Sequence, residues 1–230
     1  MPLPAHNTAE RLIRLALRDA GRLQTGQEPS PEVFDDALSR LTDILNYLQT
    51  KGIKLWLNQI LEITLTAGTG SYTLGPAGAL ISLKPYRATA GWYVSSSGTR
   101  RELDVLSWSD YHNLGTITQQ GEINGFFVDK QKSNLVVKTW QIPSTSAATG
   151  KLQLQIQRQA VTPALITAEV DFPSEWFIAL RWCLADDLSS GQPIPIMERN
   201  KANALRYTAD LENWDVEDDS VQFTYQGGSR

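Results

Sequence analysis

The chain has one cysteine, Cys183, two histidines, His6 and His112, and two methionines. A single cysteine excludes an intrachain disulfide. Two distant histidines mean that a histidine-based metal site would need carboxylates to complete it. No apolar stretch approaches the roughly 20 residues that a membrane helix requires. The opening Met1-Pro2-Leu3-Pro4-Ala5-His6 lacks the basic start and apolar run of a secretory signal. Residence in the cytosol is the expectation. Neither common glycine-rich phosphate loop is present, since Gly68-Thr69-Gly70 has no strand-loop-helix setting and no Lys-Ser/Thr ending. Serines, histidines and aspartates occur, but none in a nucleophile-elbow context.

What the 230 residues do have is an ordinary apolar fraction, enough for one domain with a large insertion or for two small ones. The formal net charge of -4 is unevenly placed. Acids dominate after about position 160, while the middle leans basic through residues such as Arg87, Arg100, Arg101, Lys130 and Lys132. Such asymmetry suits head-to-tail contact between copies or partners.

Hydrophobic periodicity divides the chain into helical ends and a strand-rich middle. A first helix is predicted to start after Asn7 or Thr8 and to stop at Gly21, with a broad apolar face of Leu12, Ile13, Leu15, Ala16, Leu17 and Ala20. On its other side Arg11, Arg14, Arg18 and Arg22 recur every three or four residues and form one stripe. Such a row can aim guanidinium forks at phosphates or at a partner's carboxylates, and the plainer reading is a solvated face with Glu10 paired to Arg14. A second helix opens at Ser30-Pro31 and closes before Gly52, with a core stripe from Phe34 through Leu41, Ile44 and Leu48.

From Ile60 the period becomes two. Strands are predicted around Ile63 and Leu65, Tyr72 to Leu74, Tyr86 to Val94, Arg100 to Val105, Gly125 to Val128, Asn134 to Trp140 and Lys151 to Gln159. Ser107 to Leu114 reads as a short capped helix. An antiparallel sheet with one wet face, or a small sandwich, accommodates this pattern. Helices return from Ser174 to Gly191 and from Pro195 to Trp214, and Leu41, Ile44 and Leu48 are expected to pack against Trp176, Leu180 and Leu184. Ala202, Ala204 and Ala209 permit close helix approach. Cys183 lies on an apolar stripe and reads as a small buried hydrophobe. Trp56, Trp176 and Trp182 read as core, which leaves Trp92, Trp108 and Trp140 as exposed candidates for stacking on carbohydrate. Asp186-Asp187 and Glu169 with Asp171 are the candidate acid pairs for glycoside hydrolysis, though capping and solvated faces explain both more simply.

After Trp214 the chain changes character. Asp215, Glu217, Asp218 and Asp219 cluster, and Val221, Phe223 and Tyr225 then alternate with polar residues. Alternation without a following turn and partner strand points to strand addition on another chain, against a disordered terminus as the plainer reading. The expectation is a segment mobile in isolation and extended on a portal or an adjacent subunit.

The run Thr8-Ala9-Glu10-Arg11-Leu12-Ile13-Arg14-Leu15-Ala16-Leu17-Arg18-Asp19-Ala20-Gly21, the insert carrying Gly70-Ser71-Tyr72-Thr73-Leu74-Gly75-Pro76-Ala77-Gly78, and Phe172-Pro173-Ser174-Glu175-Trp176 through Leu184-Ala185-Asp186-Asp187-Leu188 resemble, in order, the head-to-tail adaptors of short-tailed bacteriophages. These are also called tail accessory factors, packaged-DNA stabilisation proteins or tail tubular A-like proteins. The resemblance implies a structural, non-enzymatic connector without a cofactor or metal. It implies a twelve-copy ring docked below the portal, a DNA channel without sequence-specific binding, and a tail nozzle attached beneath. Compact members lack a large β insert, so this middle segment departs from the pattern.

The expected fold is therefore α+β. A helical bundle of residues 1–59 plus 170–214 carries an inserted antiparallel β domain, 60–169, and an extended tail, 215–230. Trp214, Val221, Phe223 and Tyr225 are the expected contacts to the portal or a neighbouring subunit, and the Arg11, Arg14, Arg18 and Arg22 stripe the electrostatic one. Virion localisation at the head-tail junction, after assembly in the host cytoplasm, follows from the same resemblance. A peptidoglycan hydrolase and a carbohydrate-binding module are the alternatives.

Overall fold

A computed structural model describes residues 7–51, 57–78 and 80–214. The fold is α+β, with five α-helices among the described residues and sheets whose strand pairs are mainly antiparallel. The chain divides into two units: one draws on both ends of the sequence, up to Leu41 and from Leu165 onward, and the other comprises Thr42–Ala164. The boundary falls inside the second helix rather than at residue 59, so that helix contributes to both units.

In the unit built from the chain ends, α1 (Ala9–Asp19) starts at Thr8, whose side chain accepts from the Arg11 amide, and ends before Gly21 at φ 74°. The first amides of α1 also have tertiary partners. Ala9 and Glu10 donate to the carbonyls of Ala168 and Ile166 at 3.0 and 2.7 Å, satisfying groups that the helix itself cannot. Ala9, Leu12, Ile13, Ala16 and Leu17 are buried, and α1 packs against α4 (Phe177–Leu188). A single 3₁₀ turn, Ser174–Trp176, precedes α4, so Ser174 begins that turn rather than capping the helix. Trp176, Leu180, Leu184 and Leu188 are buried as expected, while Phe177 and Cys183 are half-buried. The thiol of Cys183 lies 3.4 Å from the Thr208 hydroxyl.

The last helix, α5 (Ile194–Trp214), meets α4 through Asn200, Ala204 and Thr208. Of the three alanines expected at that contact only Ala204 is buried, because Ala202 and Ala209 fall on the opposite side of the helical repeat. Asn200 has no exposed surface, and its amide nitrogen reaches the carbonyls of Asp19 (3.2 Å) and Ala185 (3.4 Å). Arg199 adds a bond to the Asp19 carbonyl, and the Arg181 guanidinium meets the Asp19 carboxylate at 2.5 Å. The C-terminal end of α1 is thus held by polar groups from α4 and α5. Trp182 is only half-buried, flanked by Arg181 and Arg199 at 5.1 and 5.8 Å, because it occupies this polar side of α4. The N-terminal half of α2 (Pro31–Thr50) belongs to the same unit, and there Arg40 bridges Asp36 and Asp187.

The second unit holds the remainder of α2 and the β structure. One sheet has the order β1 (Asn58–Thr64), β10 (Lys151–Gln157), β3 (Arg87–Val94), β4 (Arg100–Glu102). The other runs β2 (Ser71–Leu74), β8 (Leu135–Trp140), β7 (Gly125–Lys130), β5 (Asp104–Leu106). β6 (Gln120–Gly121) and β9 (Ile142–Pro143) form a small parallel pair. The two large sheets enclose one core in which Ile63, Tyr93, Leu152, Leu154 and Ile156 meet Tyr72, Leu74, Phe126, Leu135 and Val137, a β-sandwich. The expected single strand Arg100 to Val105 is two strands in different sheets. Leu103, buried between them, carries the chain across, and β5 then pairs in parallel with β7. Between the sheets Gly91 faces Phe126 so closely that a Cβ there would stand 2.5 Å from the ring. The short helix α3 (Trp108–His112) is fixed by a capping box in which Ser107 and Asp110 exchange bonds.

Candidate functional site

The arginine stripe of α1 is largely engaged within its own unit. Arg14 forms ion pairs with Glu10 at 2.7 Å and Glu28 at 2.8 Å. Arg11 stacks over Phe177 at 4.9 Å, and Arg22 donates to the Ser190 carbonyl at 3.1 Å. Arg18 is half-buried, and its Nε has no hydrogen-bond partner. Arg11, Arg14 and Arg22 thus serve different local contacts, and Arg22 is not on the stripe as expected, because α1 ends at Asp19 and Gly21 turns the chain before it.

Of the candidate acids, one is similarly occupied. Asp187 pairs with Arg40 at 2.9 Å, and the Asp186 carboxyl is pushed up from its ordinary value by burial, with Asp187 adding and Lys201 opposing. Glu169 lies in an isolated backbone bridge with Thr8. Among the described residues no group of three or more His, Cys, Asp or Glu side chains could hold a metal ion. No helix among them is long and apolar enough to cross a membrane.

Of the tryptophans, Trp92 stands on the outer face of the β1-β10-β3-β4 sheet. There Glu62, Gln153, Trp92 and Glu102 form one cross-strand row. Its ring lies under the Arg100 guanidinium at 3.8 Å, and Gln153 and Lys151 bind Glu62 at 2.8 and 3.1 Å. Those two bonds pull the Glu62 carboxyl below its usual range. Trp140 is half-buried and donates to the Thr116 carbonyl. Trp108 alone of the three is open, 67 % exposed, stacked on His112 at 4.2 Å. Beneath it His112 Nδ1 donates to the Trp108 carbonyl at 2.7 Å, and Tyr111 stacks on Phe127.

Trp108 borders an open cleft of about 480 Å³. Its floor comes from Phe127 and Val128 of β7, one wall from Val105 and Leu106 of β5, and its rim from Arg87, Asp129 and Lys130. This is a mixed apolar and cationic recess on the open side of the sandwich. Sequence reasoning put Trp108 among three candidates but missed the cleft, because the strand crossing at Leu103 that brings β5 beside β7 leaves no local signal. A second recess of about 380 Å³, lined by Leu80, Leu83, Ile156 and Val161, is more apolar. The residues expected to bind a partner divide. Trp214, at the end of α5, is 67 % exposed, whereas Val221, Phe223 and Tyr225 lie outside the described residues, as does Trp56.

Compared with protein-family models and with characterised proteins, the chain matches none.

Proposed function

We propose that this chain is a structural head-to-tail connector of a bacteriophage virion. Copies form a closed ring below the portal, DNA passes through the ring, and the tail nozzle attaches beneath it. The helical unit from the chain ends forms the ring, and the β domain is inserted between those ends in sequence. The observation that carries this reading is the two-unit division, in which both chain ends build one helical unit and the middle forms a separate sandwich. Charge follows the same division. Residues 42–164 carry eleven Lys or Arg against seven Asp or Glu, and the remainder carry ten against eighteen. Opposite net charges on two units favour contacts between unlike surfaces of neighbouring copies, the geometry a closed ring needs. Exposed Ile194 and Leu205, three helical turns apart on one side of α5, supply apolar area for such contacts.

A hydrolase draws less support, since Asp187, one of the acids singled out for it, is held in an ion pair with Arg40. A carbohydrate module is left with a single open indole, Trp108. Electron microscopy of the purified protein with and without a candidate portal tests the connector: rings seated on the portal are expected. Failure to bind any portal of the same phage would reject it.

A further inference from the structure

Edge strands attract other strands because half of their backbone groups lack a partner, and folded proteins usually cover or blunt them. At the cleft beside Trp108 two such edges come together. β5 pairs with β7 on one side, and among the described residues no strand lies on its other side. β3 pairs with β4 only over Trp92–Val94, and among the described residues no other strand lies on that side of its first residues. Apolar surface accompanies these edges, for Val105 is 52 % exposed and Trp108 67 %. Neither side chain is part of the sandwich core.

The rim supplies a sign. Arg87 and Lys130 border the recess, and the one acid beside them, Asp129, has the Lys138 ammonium 4.0 Å from its carboxylate. Asp104 stands at the far end of β5. A guest with acids at the Lys130 end and apolar side chains along β5 would match both the charge and the edge. The sequence after Trp214 has that order: Asp215, Glu217, Asp218 and Asp219, then Val221, Phe223 and Tyr225 at a spacing of two.

We propose that this cleft receives the C-terminal acidic and aromatic segment of a second copy of the chain. The segment adds a short strand antiparallel to β5. Its acids meet Arg87 and Lys130, and its aromatic residues pack on Trp108, Val105 and Phe127. Alternate side chains enter the recess while backbone bonds supply the register, the mode by which extended peptides add to sheet edges. The inference rests on the reading of the chain as an assembly component, and it assigns one contact between copies.

The test is fluorescence anisotropy with a labelled synthetic peptide of residues 213–226. The host is full-length protein carrying Phe223→Ser, so that its own terminus does not compete. Saturable binding that weakens with added salt is expected. Trp108→Ala in the host should weaken it at least tenfold, as loss of an aromatic anchor does, and Trp92→Ala should leave it unchanged. Lys130→Glu should weaken binding to the native peptide, and a peptide with Glu217→Lys and Asp218→Lys should recover affinity on that host. Trp108 is exposed, so its replacement leaves the fold intact, with circular dichroism as the check. Absence of saturable binding, indifference to Trp108→Ala, or a failed charge reversal would overturn the proposal. Portal binding measured on the chain with Trp108 intact separates the two ideas: a portal complex without peptide binding rejects this contact and leaves the connector standing, and peptide binding without a portal complex rejects the connector alone.

Discussion

Single atoms set several tolerances of this molecule. Gly91 is buried on β3, and an added methyl would meet Phe126 at 2.5 Å and Leu154 at 3.1 Å. The inner faces of both sheets must part to admit it, and overpacking of this kind costs about 1–3 kcal/mol. Gly91→Ala should lower the urea midpoint accordingly, and an unchanged midpoint would mean that the sheets yield freely. Asp186 poses the opposite case, a wild-type group that opposes folding. Its folded pKa is raised, chiefly by burial. Below the unfolded carboxylate range the group is protonated in both states and costs nothing. As pH rises through that range the unfolded chain ionises first, so stability falls until the folded group also ionises. Asp186→Asn should therefore stabilise the protein at pH 7 relative to wild type, and the gain should shrink toward zero near pH 3. Urea unfolding at both pH values measures it, and a gain independent of pH would point to a cause other than ionisation.

At the scale of elements, the end of α1 depends on a polar clasp more than on its own sequence. Asn200 reaches the carbonyls of Asp19 and Ala185 from a fully buried position, and Arg199 and Arg181 hold Asp19 beside it. Replacing Asn200 by Leu removes both of its bonds and leaves the Asp19 carbonyl to Arg199 alone, at roughly 1–3 kcal/mol. Thermal unfolding of Asn200→Leu should show that loss. A neutral outcome would mean that solvent reaches those carbonyls. The helices themselves were legible, because Thr8 and Gly21 around α1 and Pro31 at the start of α2 act locally. The clasp was not, since Asp19 and Asn200 are far apart in sequence. Leu103 makes the same point in the β unit: a buried leucine among strand-like neighbours carries no mark of a crossing between sheets.

For the whole molecule, the connector reading makes two further demands. A channel through which DNA slides must avoid many tight phosphate contacts, because each neutralised phosphate strengthens binding and its salt dependence. Arg14 is already paired twice and Arg11 lies over Phe177. Free chain should therefore bind duplex DNA weakly and only at low salt. Tight binding at physiological salt, abolished by Arg14→Ala with Arg18→Ala, would reassign the stripe to DNA. The second demand concerns attachment. Removing residues 216–230 should preserve the far-ultraviolet circular dichroism spectrum and cripple binding to a portal ring. Equal portal binding by full-length and shortened protein would deny the segment a role in docking there, whatever its affinity for the cleft.

The sequence by itself determined the helical ends, most strands of the middle, the caps and turns between them and the uneven charge, since each is written in residues close together along the chain. Alternation over Lys151–Gln157 marks a strand with one buried face, and the structure places Leu152, Leu154 and Ile156 in the core. Tertiary structure alone decided which side chains remained available. It paired Arg14 with Glu28, laid Arg100 over Trp92, set Trp182 between two arginines, and left Trp108 open above a cleft. Those outcomes depend on contacts between residues distant in sequence. Periodicity assigns a side chain to a face of its element, but only packing decides what that face meets.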